Sequence, residues 1–236
     1  VEAVAQRPAL GRLQASAVRG SGWRKALLGC GVAATALFIG TDALAARRYE
    51  GYSYKSQTIS ELSAVDAPTG WLWTPVGFSY GVLMLLFAAG VWLASGPGRA
   101  LRVVAGLVAA IGITGVLAWP FAPMHRREVL AAGGATFSDT LHIVLATVDS
   151  LCFMLSMAIG ASALGARFRR YSVATIVTAG AFGALTGPQA PKVQHNEPTP
   201  WIGVTERIMI FGCMLWYAVL AIGLMRRKER PASEAV

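Results

Sequence analysis

Residues 137–162 read FSDTLHIVLATVDSLCFMLSMAIGAS, and this stretch decides the fold. Twenty or so consecutive apolar residues suffice to cross a bilayer as a helix. At about 100° per residue, Ser138, Asp139, His142, Asp149 and Ser156 fall within roughly one third of the helix circumference. The remaining faces are Leu, Val, Ile, Met, Phe and Ala, which suit lipid or neighbouring helices. A carboxylate placed as Asp149 is, turns inside an apolar span, costs about 2.5–3.5 kcal/mol on insertion scales. The stripe is therefore predicted to face protein or a water-filled cavity.

Composition extends this reading to the whole chain. Of 236 residues, 55% are hydrophobic and 14% charged, and the mean hydropathy is +0.52. Soluble domains carry about 25% charged residues, so the deficit indicates a membrane protein. The net charge of +9 does not indicate nucleic acid. Its positive residues form short clusters between apolar runs, with no basic face interleaved by aromatics and no recognition motif. Cys30, Cys152 and Cys213 lie inside apolar runs without C-x-x-C spacing, where cysteine behaves as a small hydrophobe. No disulfide framework or cysteine metal site is expected.

The predicted fold is all-α, a six-transmembrane-helix bundle. Its spans lie at about 26–46, 71–95, 101–119, 138–163, 171–187 and 203–225, within a membrane domain of residues 23–226. Residues 1–22 read as a disordered cytoplasmic tail and 227–236 as a second cytoplasmic tail. Trp71 and Trp73 open the second span as interface anchors. Pro120 and Pro123 stop the third. Gly183 and Gly187 offer a small-residue packing motif in the fifth. Ala43-Leu44-Ala45 resembles a signal-peptidase site, but the apolar run is long for a signal peptide and Asp42 precedes the site. Continuous rather than alternating apolar runs exclude a transmembrane barrel.

Orientation follows from lysine and arginine. With the N-terminus inside, fourteen of these residues fall on inner segments and seven on outer ones. The positive-inside rule then places both termini in the cytoplasm. Loops 47–70, 120–137 and 188–201 face outside, and the chain is expected in the plasma membrane.

Several outer residues invite a functional reading. Ser60 and Glu61, near Asp66, fit either the cap of a short interfacial helix or a group reaching over the mouth of the bundle. Glu206 and Arg207 open the sixth span, as a helix-start acid with a snorkelling base or with Arg207 paired to an acid elsewhere. Asp139 stands three residues before His142, where it can orient the imidazole. His125, His142 and His195 occupy three outer segments, and together they are the candidate ligands of an open zinc-type site. No H-E-x-x-H spacing supports that site, so no cofactor is the primary expectation. Asp149 reads equally as a functional group or as a carboxyl hydrogen-bonding neighbouring helices.

Gln57-Thr58-Ile59-Ser60-Glu61-Leu62 after the first span, Asp139 and His142 opening the fourth, and Glu206-Arg207 opening the sixth resemble a bacterial membrane-protein family catalogued as domain of unknown function 998. The resemblance covers about residues 26–226. It implies a six-helix integral membrane protein and supplies no catalytic residues.

Three functions remain open. The first is an uncharacterised multi-pass protein with a polar pocket on the extracytoplasmic side that binds a lipid or a partner subunit. The second is a membrane-embedded hydrolase, with or without a metal, acting on lipid at the outer interface. The third is a small proton-linked transporter using Asp149 and His142. Against transport, no span carries the mid-depth Gly/Pro interruption of broken transporter helices. Against an enzyme, no nucleophile–base pair is fixed by sequence spacing. The pocket-bearing protein is the leading expectation, with Asp149 beneath His142 as the pocket floor.

Overall fold

The computed structural model describes the backbone of residues 7–227 and the side chains of residues 22–227. Every regular element among the described residues is helical. Six long helices run back and forth: α1 (Arg7–Arg48), α2 (Gly70–Ala94), α3 (Arg99–Leu117), α5 (Phe137–Gly160), α6 (Ala166–Thr186) and α8 (Ile202–Arg226). Two short ones, α4 (Arg127–Ala131) and α7 (Ala190–Gln194), lie in the connections. Single 3-10 turns occur at Ser60–Ser63, Trp119–Phe121 and Gly187–Gln189.

Five segments are long and apolar enough to cross a membrane: Gly22–Arg48, Gly70–Ala94, Arg99–Phe121, Phe137–Gly160 and Ile202–Arg226. Helix α6 does not join them; Arg167, Arg169 and Arg170 occupy its first turns. Large side chains such as Leu93, Leu117, Leu151 and Val177 point outward. That is the arrangement expected when lipid, not water, is the solvent.

Helix α1 packs on α2 and α8, α2 on α3, α3 on α5, and α6 on α8. Helices α5 and α6 touch little although one short turn joins them. The core gathers Leu28, Met84, Phe87, Val108, Met157, Trp216, Tyr217 and Leu220. Helices α2 and α3 approach through glycine. A Cβ on Gly81 would stand 2.9 Å from the Gly115 carbonyl carbon, so the backbones meet as small-residue contacts allow in membranes.

Three expectations change. The backbone is helical from Arg7, where residues 7–22 read as a disordered tail. The first six residues and 228–236 lie outside the described residues, and with them the remainder of both expected tails. Trp73 is not an interface anchor. It is buried, its ring edge-on to Phe38 at 5.0 Å, because α2 enters with that face toward α1; Trp71 is the exposed one. Of the Gly183/Gly187 pair, only Gly183 makes a close approach, with a Cβ position 3.1 Å from the Met209 sulfur.

Candidate functional site

The three long connections fold over one end of the bundle, and two buried arginines fix them there. Arg207 on α8 donates from Nε and Nη2 to both oxygens of Asp42 on α1, at 3.0 and 2.9 Å. Its Nη1 donates to the carbonyls of Tyr54, Gln57 and Gly203, each at 3.1 Å. Its Nη2 also reaches the Tyr52 hydroxyl at 2.6 Å. Burial pushes the Tyr52 phenol well above its ordinary range, against the opposing pull of Arg207. Gly203 permits this closeness, because a Cβ there would collide with the Gln57 and Tyr54 carbonyls.

The second arginine is Arg127 on α4. It grips Glu61 through Nε and Nη2, the latter at 2.8 Å. It also donates to Thr199 Oγ1 at 2.8 Å and to the Ser56 carbonyl at 3.0 Å. Three connections thus meet on one guanidinium, the bidentate geometry that favours Arg over Lys. Glu61 accepts in addition from the Thr58 N–H at 2.7 Å. It is a buried structural anchor among these partners.

Between the anchors, the turn Ser60–Ser63 is held from several sides. The Ile59 N–H donates to Glu206 Oε2 at 2.6 Å, and Thr69 Oγ1 donates to the Leu62 carbonyl at 2.6 Å. Ile59 and Leu62 bury their side chains with Ala45 and Trp73. Ser60 makes no cap contact. Its hydroxyl instead lies 2.8 Å from His142 Nε2. His142 Nδ1 is 2.8 Å from the Ala122 carbonyl. A carbonyl only accepts, so Nδ1 carries the proton and Nε2 of the neutral ring accepts from Ser60. The break at Trp119-Pro120-Phe121 turns the Ala122 carbonyl back onto the ring. Trp119 packs edge-on against the imidazole at 4.9 Å.

Asp139 does not orient His142. It completes a capping box with Thr136, which bends its carboxylate back toward the helix start. There it accepts the His125 N–H at 2.7 Å and lies 2.9 Å from His125 Nδ1. His195 Nδ1 is occupied by the Pro191 carbonyl at 2.8 Å. Among the described residues, no group of three or more His, Cys, Asp and Glu side chains is placed to hold a metal ion. Both ring nitrogens of His142 already have partners.

Asp149 points to α3. Trp119 Nε1 donates to its Oδ2 at 2.9 Å, and Thr114 Oγ1 lies 2.9 Å from its Oδ1. Trp119 therefore links Asp149 to His142, one through its N–H and the other through its ring. Deeper in the stripe, Ser156 meets the Tyr217 hydroxyl at 2.9 Å.

A cavity of about 850 Å³ lies beneath the connections, where α5 and α6 part. Ser60, Asp139, His142, His195 and Glu206 border its loop end, while Ala146, Thr147, Ser150, Gly183 and Thr186 flank it along the helices. Glu61, Asp149 and Arg207 do not border it. The sequence-predicted residues thus divide into a cavity group, Ser60, Asp139, His142 and Glu206, and a scaffold group, Glu61, Asp149 and Arg207. Asp42, Arg127, Trp119 and Thr114 join this network without standing out in the sequence as site residues. Asp42 carried the same signal as Asp149, a carboxylate near the end of an apolar span; the other three carried none.

Residues 32–223 match the family model described as Protein of unknown function (DUF998). No curated protein and no solved structure matches the chain. The match runs from within α1 to within α8 and takes in the four long helices between them and the three connections folded over them, so the chain belongs to the DUF998 family.

Proposed function

We propose that this protein is a six-span plasma-membrane protein, with both termini in the cytoplasm, that holds a single lipid in the cavity between α5, α6 and α8. Helix α6 is the remaining span, fifth in chain order: its apolar part follows Arg167, Arg169 and Arg170, which stay at the cytoplasmic surface as snorkelling bases do. The charge distribution supports this orientation, and puts the loop-covered end outside.

The observation that carries the lipid reading is the grading of the cavity wall. Its loop end presents Ser60, Asp139, His142 and Glu206, whereas its flank along α5 and α6 presents Ile143, Ala146 and Gly183 beside Thr147, Ser150 and Thr186, whose hydroxyls donate to carbonyls of their own helices. The flank continues into exposed Ile143, Val144 and Val148. A molecule with a polar head and an aliphatic tail matches that gradient. Exposed Trp71, Phe121, Phe137 and Trp201 mark the interface at the same end, so a lipid enters sideways through the α5–α6 gap with its head at the loops.

Photocrosslinking tests this. Phosphatidylcholine with a diazirine in one acyl chain, incorporated into nanodiscs, should label Thr147, Ser150 and Thr186 in preference to Val103 and Val177. Uniform labelling of every outward face would contradict a bound lipid. A protein subunit isolated stoichiometrically on the α5–α6 face would replace the lipid as occupant.

A further inference from the structure

We propose that Ser60 and His142 form a nucleophile–base pair that cleaves acyl esters of uncharged or zwitterionic lipids at the outer interface; this rests on the lipid reading of the cavity. The two side chains come from segments 82 residues apart and meet at 2.8 Å, the separation expected of an activated serine and its base. The imidazole has the tautomer such a base needs. Nδ1–H is committed to the Ala122 carbonyl, leaving Nε2 as the acceptor of the Ser60 proton. The third member, which orients the base, is a backbone carbonyl here instead of a carboxylate.

The Ser60 hydroxyl and His142 Nε2 have each other as their hydrogen-bond partner. The hydroxyl of Ser60 caps no helix, and both residues border the cavity. His142 is five residues into α5 from exposed Phe137, about 7.5 Å along the axis. That depth is the interfacial region, about 5–8 Å thick on each side of the hydrocarbon core, where the ester groups of lipids reside. No lysine or arginine borders the cavity, whereas Glu206 and Asp139 do. Anionic head groups are therefore disfavoured, and the chemical class is a neutral or zwitterionic ester lipid.

The reaction balances without a cofactor. Ser60 Oγ bonds to the ester carbonyl carbon as its proton passes to His142 Nε2. The bond from that carbon to the alcohol oxygen then breaks, and the departing alcohol takes the proton from Nε2. Water attacks the acyl-Ser60 ester in the same manner, with His142 Nε2 receiving its proton and returning it to Ser60 Oγ. The products are a fatty acid and the deacylated lipid, and the pair is restored.

The test uses the full chain in phosphatidylcholine nanodiscs, with an alkyl fluorophosphonate as probe and p-nitrophenyl octanoate as reporter ester. Wild type should carry the phosphonate on Ser60, identified by peptide mass spectrometry, and hydrolyse the ester. Ser60→Ala and His142→Gln should lower both by about 100-fold or more. Gln can keep the hydrogen bonds to Ala122 and Ser60 yet cannot accept a proton, so an unchanged thermal midpoint in His142→Gln separates chemistry from packing. The labelling rate should also rise with pH as the imidazole loses its proton. No phosphonate on Ser60 of the folded wild type, or full labelling in His142→Gln, would overturn the proposal. Diazirine crosslinks at the cavity in the same sample would show that the lipid site survives that failure; their absence would remove both.

Discussion

Arg207 and Asp42, on the last and first long helices, make two parallel charge-assisted hydrogen bonds of 3.0 and 2.9 Å in a fully buried setting. Every remaining guanidinium contact goes to the 52–57 segment or to Gly203. The pair thus closes the helix order on itself and seats the loop that carries Ser60. In such a place the attraction offsets desolvation only while both partners stay.

Removing one partner should therefore be severe. Asp42→Ala leaves the guanidinium uncompensated and should cost about 3–5 kcal/mol, read as a large drop in thermal midpoint in detergent. Arg207→Lys keeps the charge but loses the two-pronged fit, and should fall between Asp42→Ala and wild type. An unchanged midpoint for Asp42→Ala would refute this role.

Asp149 supplies a contrasting case. Its partners are Trp119 and Thr114 on the third span and its end, so the residue ties α5 to α3. Asp149→Asn can still accept from Trp119 and should change stability little. Asp149→Leu strands the half-buried indole N–H of Trp119 and should cost about 1–3 kcal/mol. Equal midpoints for Leu and wild type would mean that these bonds carry no stability.

The orientation is tested from outside. Cysteines at Glu128 and Gln194, both exposed on loop-end helices, should react with an impermeant maleimide on intact cells. A cysteine at Ser162, in the short α5–α6 turn, should react only after lysis. The reverse pattern would invert the protein in the membrane.

Much of this architecture is legible in the sequence, because the bilayer constrains each segment separately. Continuous apolar runs give the helices, and the stripe on residues 138–156 faces inward at four of its five positions: Asp139, His142, Asp149 and Ser156 are buried, and Ser138 is half-buried. The pairings are not legible. Local spacing assigns Asp139 to His142, yet the capping box takes Asp139 away, and the partner of His142 comes from a turn 82 residues earlier. Asp149 and His142 share an azimuth, but Trp119 lies between them and directs Asp149 to α3. Arg127 looks like one of two adjacent surface bases. Only the folding of three loops onto one end shows that it joins Glu61, Ser56 and Thr199. Contacts set by tertiary closure have no periodic signature.

The most direct test of the lipid-holding cavity is native mass spectrometry of protein released from nanodiscs of ether-linked phosphatidylcholine, which has no acyl ester for Ser60 to attack. Ala146 borders the cavity on α5 and is exposed toward the α5–α6 gap, so Ala146→Trp fills the space without touching the buried core. Wild type should retain one phosphatidylcholine mass. Ala146→Trp should lose it while keeping the wild-type thermal midpoint. Equal lipid retention in both proteins, or none in wild type, would contradict the account.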